Sequence, residues 1–116
     1  MTSVRAGQLS RRLRIQSRSS VQDSFGQQQL IWTDLITVWA DIQPLAGREL
    51  ESAQRMVSEV SHQIIVRFQP LFSDTRVVAE YRALYKGRIF NIQACMNEDE
   101  RNAVVTLLAS EGLNDG

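Results

Sequence analysis

At 116 residues, with 43% apolar and 22% charged residues, the chain suits one folded domain and is too apolar for wholesale disorder. A single cysteine, Cys95, excludes an internal disulfide and a multi-cysteine zinc site, and no apolar run reaches the roughly 20 residues that span a bilayer. Thirteen basic and thirteen acidic residues balance to zero, which argues against a dedicated nucleic-acid binder.

The charges are unevenly spread. Arg5, Arg11, Arg12, Arg14 and Arg18 give residues 1–20 a charge of +5, whereas Glu98, Asp99, Glu100, Glu111 and Asp115 against Arg101 leave residues 97–116 at −4. Two solvated segments would account for this, as would complementary edges that meet between subunits. The Arg-rich start, Met1 to Arg18, is not followed by the hydrophobic core of a signal peptide, so the protein is expected to stay in the cytoplasm where it is made.

Arg12-Leu13-Arg14-Ile15-Gln16 alternates with period two and predicts a strand with Leu13 and Ile15 inward and the arginines outward. Ser17 to Gln29, rich in Ser and Gln and without periodicity, is expected to be a long loop. Leu35 to Ile42 predicts a core strand whose inward face is Ile36, Val38, Ala40 and Ile42, ending near Pro44, which cannot donate a ladder hydrogen bond. Gly47 to Val57 predicts a helix of about three turns, with Leu50, Ala53 and Val57 at helical spacing and Glu49 and Glu51 near its N-terminus. So short a helix depends on packing.

Val60 to Phe68 predicts a strand with Val60, His62, Ile64, Val66 and Phe68 on one face. A single helical turn is expected within Ser73 to Val78. Ala79 to Tyr85 and Arg88 to Met96 flank Lys86-Gly87 and predict a hairpin, since Gly87 accepts positive φ at little cost. A polar turn over Asn97 to Arg101 and a last strand over Ala103 to Ala109 complete the chain. About six strands with one short inserted helix, long loops and no βαβ alternation predict a mainly β, small antiparallel barrel, because closure removes exposed edges.

Reactive constellations are missing from the sequence. With one histidine, any nucleophile–base arrangement must use His62, which lies on the apolar face of its strand and is expected to be a satisfied, half-buried ring. Cys95, expected to share a face with Asn91 and Gln93, has no basic motif beside it and reads as an inert thiol. Glu98-Asp99-Glu100 lacks EF-hand spacing, and the isolated glycines lack Walker-type spacing. No catalytic residue, cofactor or metal is therefore assigned. Trp32 and Trp39, beside apolar strand residues, are expected in the core rather than as base-stacking platforms.

The order of short motifs nonetheless resembles a known family. Leu9, Arg12 to Gln16 and Phe25-Gly26 open it. Trp32-Thr33, Val38-Trp39-Ala40, the turn Pro44 to Leu50, Ala53 and the Val60 to Arg67 strand follow, and Tyr85 to Ile92, Asn97-Glu98 and Leu107 to Gly112 close it. Together they are similar to the phage head-tail joining, or head-closure, proteins. That resemblance implies a small β-barrel subunit of the virion that joins a twelvefold ring beneath the portal and its adaptor after DNA packaging. It would close the DNA-filled head and offer a surface to the tail-completion or tail-terminator protein, with packaged DNA in its channel and no membrane partner. The isolated subunit is expected to be mostly monomeric, because the Gly47 to Val57 helix and the Ser17 to Gln29 loop must be ordered before a ring surface exists. A loop between the second and third strands projects into the channel in related connectors, and the matching segment is Pro44 to Glu59. Arg48, Glu49, Glu51 and Arg55 on that segment, with Arg12 and Arg14 on the first strand, are the expected assembly or channel-facing residues. The rival from the residues alone is a free-standing nucleic-acid-binding barrel using Arg12, Arg14, Arg67 and the two tryptophans.

Overall fold

The structure, a computed structural model, describes residues 9–22, 24–97 and 103–112. Six strands close an antiparallel barrel: β1 (Arg11–Gln22), β2 (Gln28–Pro44), β3 (His62–Arg67), β4 (Arg82–Tyr85), β5 (Arg88–Asn97) and β6 (Val104–Gly112). Their order around the barrel is β1-β2-β3-β6-β5-β4, with β4 returning to β1. Helix α1 (Gly47–Met56) lies between β2 and β3, and a 3-10 turn (Pro70–Phe72) and α2 (Thr75–Val78) lie between β3 and β4. The polar turn expected over 97–101 falls mostly outside the described residues.

Period-two patterning fills the barrel. Leu13 and Ile15 of β1, Val38 and Ala40 of β2, and Ile64 and Val66 of β3 are buried together with Phe90, Ile92, Val105, Leu107 and Ala109. Phe72 and Val78, from the β3–β4 connection, plug the same core and are fully buried. Asp74 caps α2 by accepting from the Arg76 backbone N–H at 3.1 Å, which stabilises a helix of four residues. The β4–β5 turn places both Lys86 (φ 47°) and Gly87 (φ 81°) in the left-handed region, as a two-residue hairpin of type I′ geometry requires.

β6 is buried on both faces. Val105, Leu107 and Ala109 point into the barrel, while Thr106 and Leu108 are buried on the outer side. There α1 roofs the strand, packing Ala53 with Val60 and Leu108, flanked by Leu45, Val57, Ala94 and Met96. Val60 therefore lies before β3 rather than within it and serves this second cluster. Glu49 in the first turn and Arg55 in the last complement the α1 dipole, and Gly47 opens the helix at φ 57°.

Further expectations require correction. The segment 17–29 is not a long loop: β1 runs to Gln22 and β2 starts at Gln28, so two strands continue beyond the barrel and pair in register from Ser17↔Thr33 to Gln22↔Gln28. The period is missing there because this two-stranded arm has no partner strand on either edge among the described residues, and so no sheet face to bury. Neither tryptophan is core. Trp32 is half-buried in the part of β2 that pairs in the arm and joins neither core cluster. Trp39 is 54% exposed, because the alternation that sends Val38 and Ala40 inward sends Trp39 outward. Cys95 does not share a face with Asn91 and Gln93, since a register shift between Ile92 and Ala94 turns the strand by one residue and brings Cys95 against the barrel core.

Candidate assembly surfaces

Arg12 and Arg14 leave β1 on its outer face, with Leu13 and Ile15 anchored inside. Because β4 pairs with β1 through Arg14↔Leu84 and Gln16↔Arg82, the same outer face gains Arg82, and the β4–β5 turn adds Lys86. These four cations line an open groove of about 720 Å³ with Thr37, Leu84 and Ile89, and among the described residues no carboxylate lines it. Asp34 approaches Arg14 only at 4.0 Å, with both side chains more than half exposed, a contact worth little in water. Arg12 lies over the exposed Trp39 ring at 5.5 Å, and Lys86 over Tyr85 at 5.5 Å.

A hydrogen-bonded chain joins this groove to the arm. The Arg82 guanidinium donates through Nε to Gln16 Oε1 at 2.8 Å and stacks on the Trp32 ring at 4.0 Å, while Gln16 Nε2 donates to Asp34 Oδ1 at 2.6 Å. Gln16 is only 7% exposed. The register shift between Ile15 and Gln16, where Leu35 is the extra residue of β2, lets these side chains meet at the arm's base. At the far end of the arm Phe25 is 89% exposed beside Gly26 (φ 83°), and the whole molecule extends 51 × 29 × 26 Å.

The second surface is α1. Arg48, Glu49, Glu51 and Arg55 are all exposed. Beside them, Leu45, Ala53, Met56, Met96 and Leu108 contribute to a shallower groove of about 430 Å³, and Met56 is largely exposed. β1 and β6 are three places apart in a six-stranded ring, so the two groups of predicted residues occupy opposite walls. The structure brings Arg12 and Arg14 together with Arg82 and Lys86, and keeps them apart from the α1 charges. Arg82 and Lys86 were invisible as partners in the sequence, since only the β1–β4 register unites them.

His62 is the satisfied ring expected. It stands edge-on to Phe90 at 5.1 Å, with Nδ1 2.8 Å from Ser61 Oγ and Nε2 3.7 Å from Glu111. Arg88 pairs with both Glu111 carboxylate oxygens at 2.9 and 3.0 Å. Burial lowers the His62 pKa against the opposing pull of Glu111, and the hydrogen bond from Arg88 lowers that of Glu111. Burial pushes the Cys95 thiol up to about 11, so it is not a ready nucleophile. Among the described residues no group of three or more His, Cys, Asp or Glu could hold a metal ion. The acidic run Glu98-Asp99-Glu100 lies outside them.

The sequence pattern of the phage head completion proteins matches residues 4–112. The chain belongs to that family. It is thus a phage structural protein of head completion, and its barrel resembles two solved structures. Protein SF1141 from Shigella flexneri 2a is 21% identical and superposes with a TM-score of 0.69, over 97% of this chain and 100% of that one. A chain in the virion of a native gene transfer agent particle is 25% identical with a TM-score of 0.59, over 91% of this chain and 97% of its own length. No curated protein matches. Head completion proteins are virion structural components, and none of the described helices is long and apolar enough to cross a membrane.

Proposed function

We propose that this head completion protein works as one domain over residues 1–116 in a dodecameric ring below the portal and adaptor, closing the DNA-filled head and presenting the surface to which the tail-completion or tail-terminator protein attaches. The observation that carries this reading is the pair of opposed, chemically different walls on a family member whose match spans residues 4–112: the cationic groove of β1 and β4, and the α1 roof over β6. A cyclic ring needs two unlike patches that meet heterologously, one on each side of the subunit. A related fold in a gene transfer agent virion suits a virion component. The product is an assembly, and neither catalysis nor a cofactor enters the reading.

Arg48, Glu49, Glu51 and Arg55 on α1 are assigned to assembly or channel closure, because they are exposed on a segment that contributes one buried residue, Ala53, and so can change without emptying the core. The isolated subunit is monomeric in this reading and assembles in the host cytoplasm. Electron microscopy of heads from a phage or prophage lacking the protein tests it. Filled heads that leak DNA and carry no tails are expected, and normal tailed particles would overturn it.

One observation favours the nucleic-acid reading: Trp39 is exposed under Arg12, and Arg12 also lines the groove with Arg14, Arg82 and Lys86, so a base could stack on the ring and phosphates pair with the cations. Salt-dependent binding of single-stranded DNA by the lone subunit, lost in Trp39→Ala, would support it.

A further inference from the structure

We propose that the end of the barrel opposite the arm binds a single phosphate group, held by Arg11, Arg88 and the Tyr85 hydroxyl. Strands β1, β3 and β5 begin at this end, with Arg11, His62 and Arg88, and β2 and β4 finish there, with Pro44 and Tyr85. Together with Ile42 these five residues line a pocket of about 250 Å³. Barrel mouths are common places for small-ligand sites, and this space falls below the roughly 300–1,000 Å³ that takes a drug-sized molecule, so it suits one group. Among the described residues no carboxylate lines it. Glu111, 3.7 Å from His62, is already engaged, because Arg88 gives it Nε and Nη2 at 3.0 and 2.9 Å. That pair leaves the Nη1 end of Arg88 to donate elsewhere. Arg11 gives an N–H to the Tyr85 hydroxyl at 3.1 Å and has no ion pair among the described residues, so its charge is the excess at this mouth. The Tyr85 oxygen accepts in that bond, which keeps its own hydrogen for an incoming oxygen. Burial raises the Tyr85 pKa, but the hydrogen bond and charge of Arg11 with the charge of Lys86 outweigh it and lower the pKa, the mark of a positive field. The donors come from three strands rather than from one planar fork. A flat carboxylate fills a single fork, as Glu111 does on Arg88, whereas a tetrahedral phosphate offers oxygens to donors on several sides. The site lies within one copy, so it stands whether or not copies form a ring.

Nitrogen-15 spectra of the full chain, with phosphate replacing chloride at constant ionic strength, test the site. Saturable shifts are expected at the Nε–H signals of Arg11 and Arg88 and at the backbone amides of His62, Tyr85 and Arg88, with sulfate similar and acetate weaker. Arg11→Gln should weaken phosphate about tenfold or more, and Tyr85→Phe, which keeps the ring, roughly two- to tenfold. Arg76→Gln removes the same charge from α2, which lies between the end of β3 and the start of β4 at the other end of the barrel. It should leave the affinity within about twofold, since separated surface charges are screened. Shifts that do not saturate, an unchanged affinity in Arg11→Gln, or an equal loss in Arg76→Gln would each overturn the site. Acetate binding as tightly as phosphate would overturn the choice of a tetrahedral group. Two short single strands of DNA, identical but for a 5′-phosphate, separate the sources of the group. A phosphorylated strand that moves the same signals at lower concentration than phosphate assigns the site to a nucleic-acid end, and one that needs a higher concentration assigns it to the free ion. A bare strand that moves them as strongly as the phosphorylated one would overturn a single-group site in favour of a track for the nucleic-acid backbone.

Discussion

The wall built by β6 and the wall built by β1 belong to one barrel, yet they solve the problem of an outer face in opposite ways. β6 is apolar on both sides, Val105, Leu107 and Ala109 within and Leu108 without, and α1 covers it. β1 alternates from Arg12 to Ile15, and there its outer face stays in water with Arg12 and Arg14 over a groove. The difference teaches that a covered wall stores stability, whereas a bare wall is free to carry recognition. Substitutions should separate along that line.

The largest effect is expected on the covered wall. Leu108→Ala removes a side chain buried between α1 and the sheet, and should cost about 2–5 kcal/mol in urea unfolding. A loss within ~0.5 kcal/mol would mean that α1 does not seal this face. Next comes the base of the arm. Arg82→Ala removes the hydrogen bond to Gln16 and the stack on Trp32, leaving the buried amide short of a donor, for a loss of about 1–3 kcal/mol. Amide exchange should quicken along Ser17–Gln22 and Gln28–Thr33 more than in the barrel. Uniform quickening would show that Arg82 supports the barrel as a whole.

On the bare wall, Trp39→Ala should cost less than about 1 kcal/mol, since an exposed ring loses little apolar burial. A loss of 3 kcal/mol or more would restore it to the core. The smallest effect concerns pH. His62 and Glu111 both have lowered pKa values in the folded state, so the unfolded chain binds protons first as pH falls. Their contribution is fully present above about 6.5 for His62 and above about 4.5 for Glu111, and each is lost as pH drops through its lower folded value. A thermal melt series from pH 8 to pH 4 should therefore show a midpoint that declines in acid, with the part of the decline that sets in below about 6.5 removed in His62→Gln. An acid-stabilised midpoint would reverse the sign of this account.

Most of the barrel was legible because alternation reports burial directly. Leu13 and Ile15, the face of Ile36, Val38, Ala40 and Ile42, and the Lys86-Gly87 hairpin stand where the pattern puts them, and the helix expected over Gly47 to Val57 runs from Gly47 to Met56. The arm was not legible, since a strand pair with no covered face shows no period, and its Ser and Gln residues read as loop. Trp39 was misjudged by weighing residue type above position: the alternation that correctly turned Val38 and Ala40 inward already turned it outward. The shift between Ile92 and Ala94 is a backbone event that leaves no mark in composition, so the face of Cys95 could not be read. The cationic groove was half visible. Arg12 and Arg14 came from one strand, while Arg82 and Lys86 joined them only through the register of β4 on β1.

Complementation of a deletion phage with wild type, Arg12→Glu/Arg14→Glu and Arg48→Glu/Arg55→Glu tests the central claim most directly, because it compares both walls in one count of tailed infectious particles. All four arginines are exposed, so both variants should fold with midpoints close to wild type. The account predicts that each variant gives heads that fail to hold DNA or accept tails, with tailed particles reduced at least tenfold. Normal numbers of tailed infectious particles from both folded variants would contradict it.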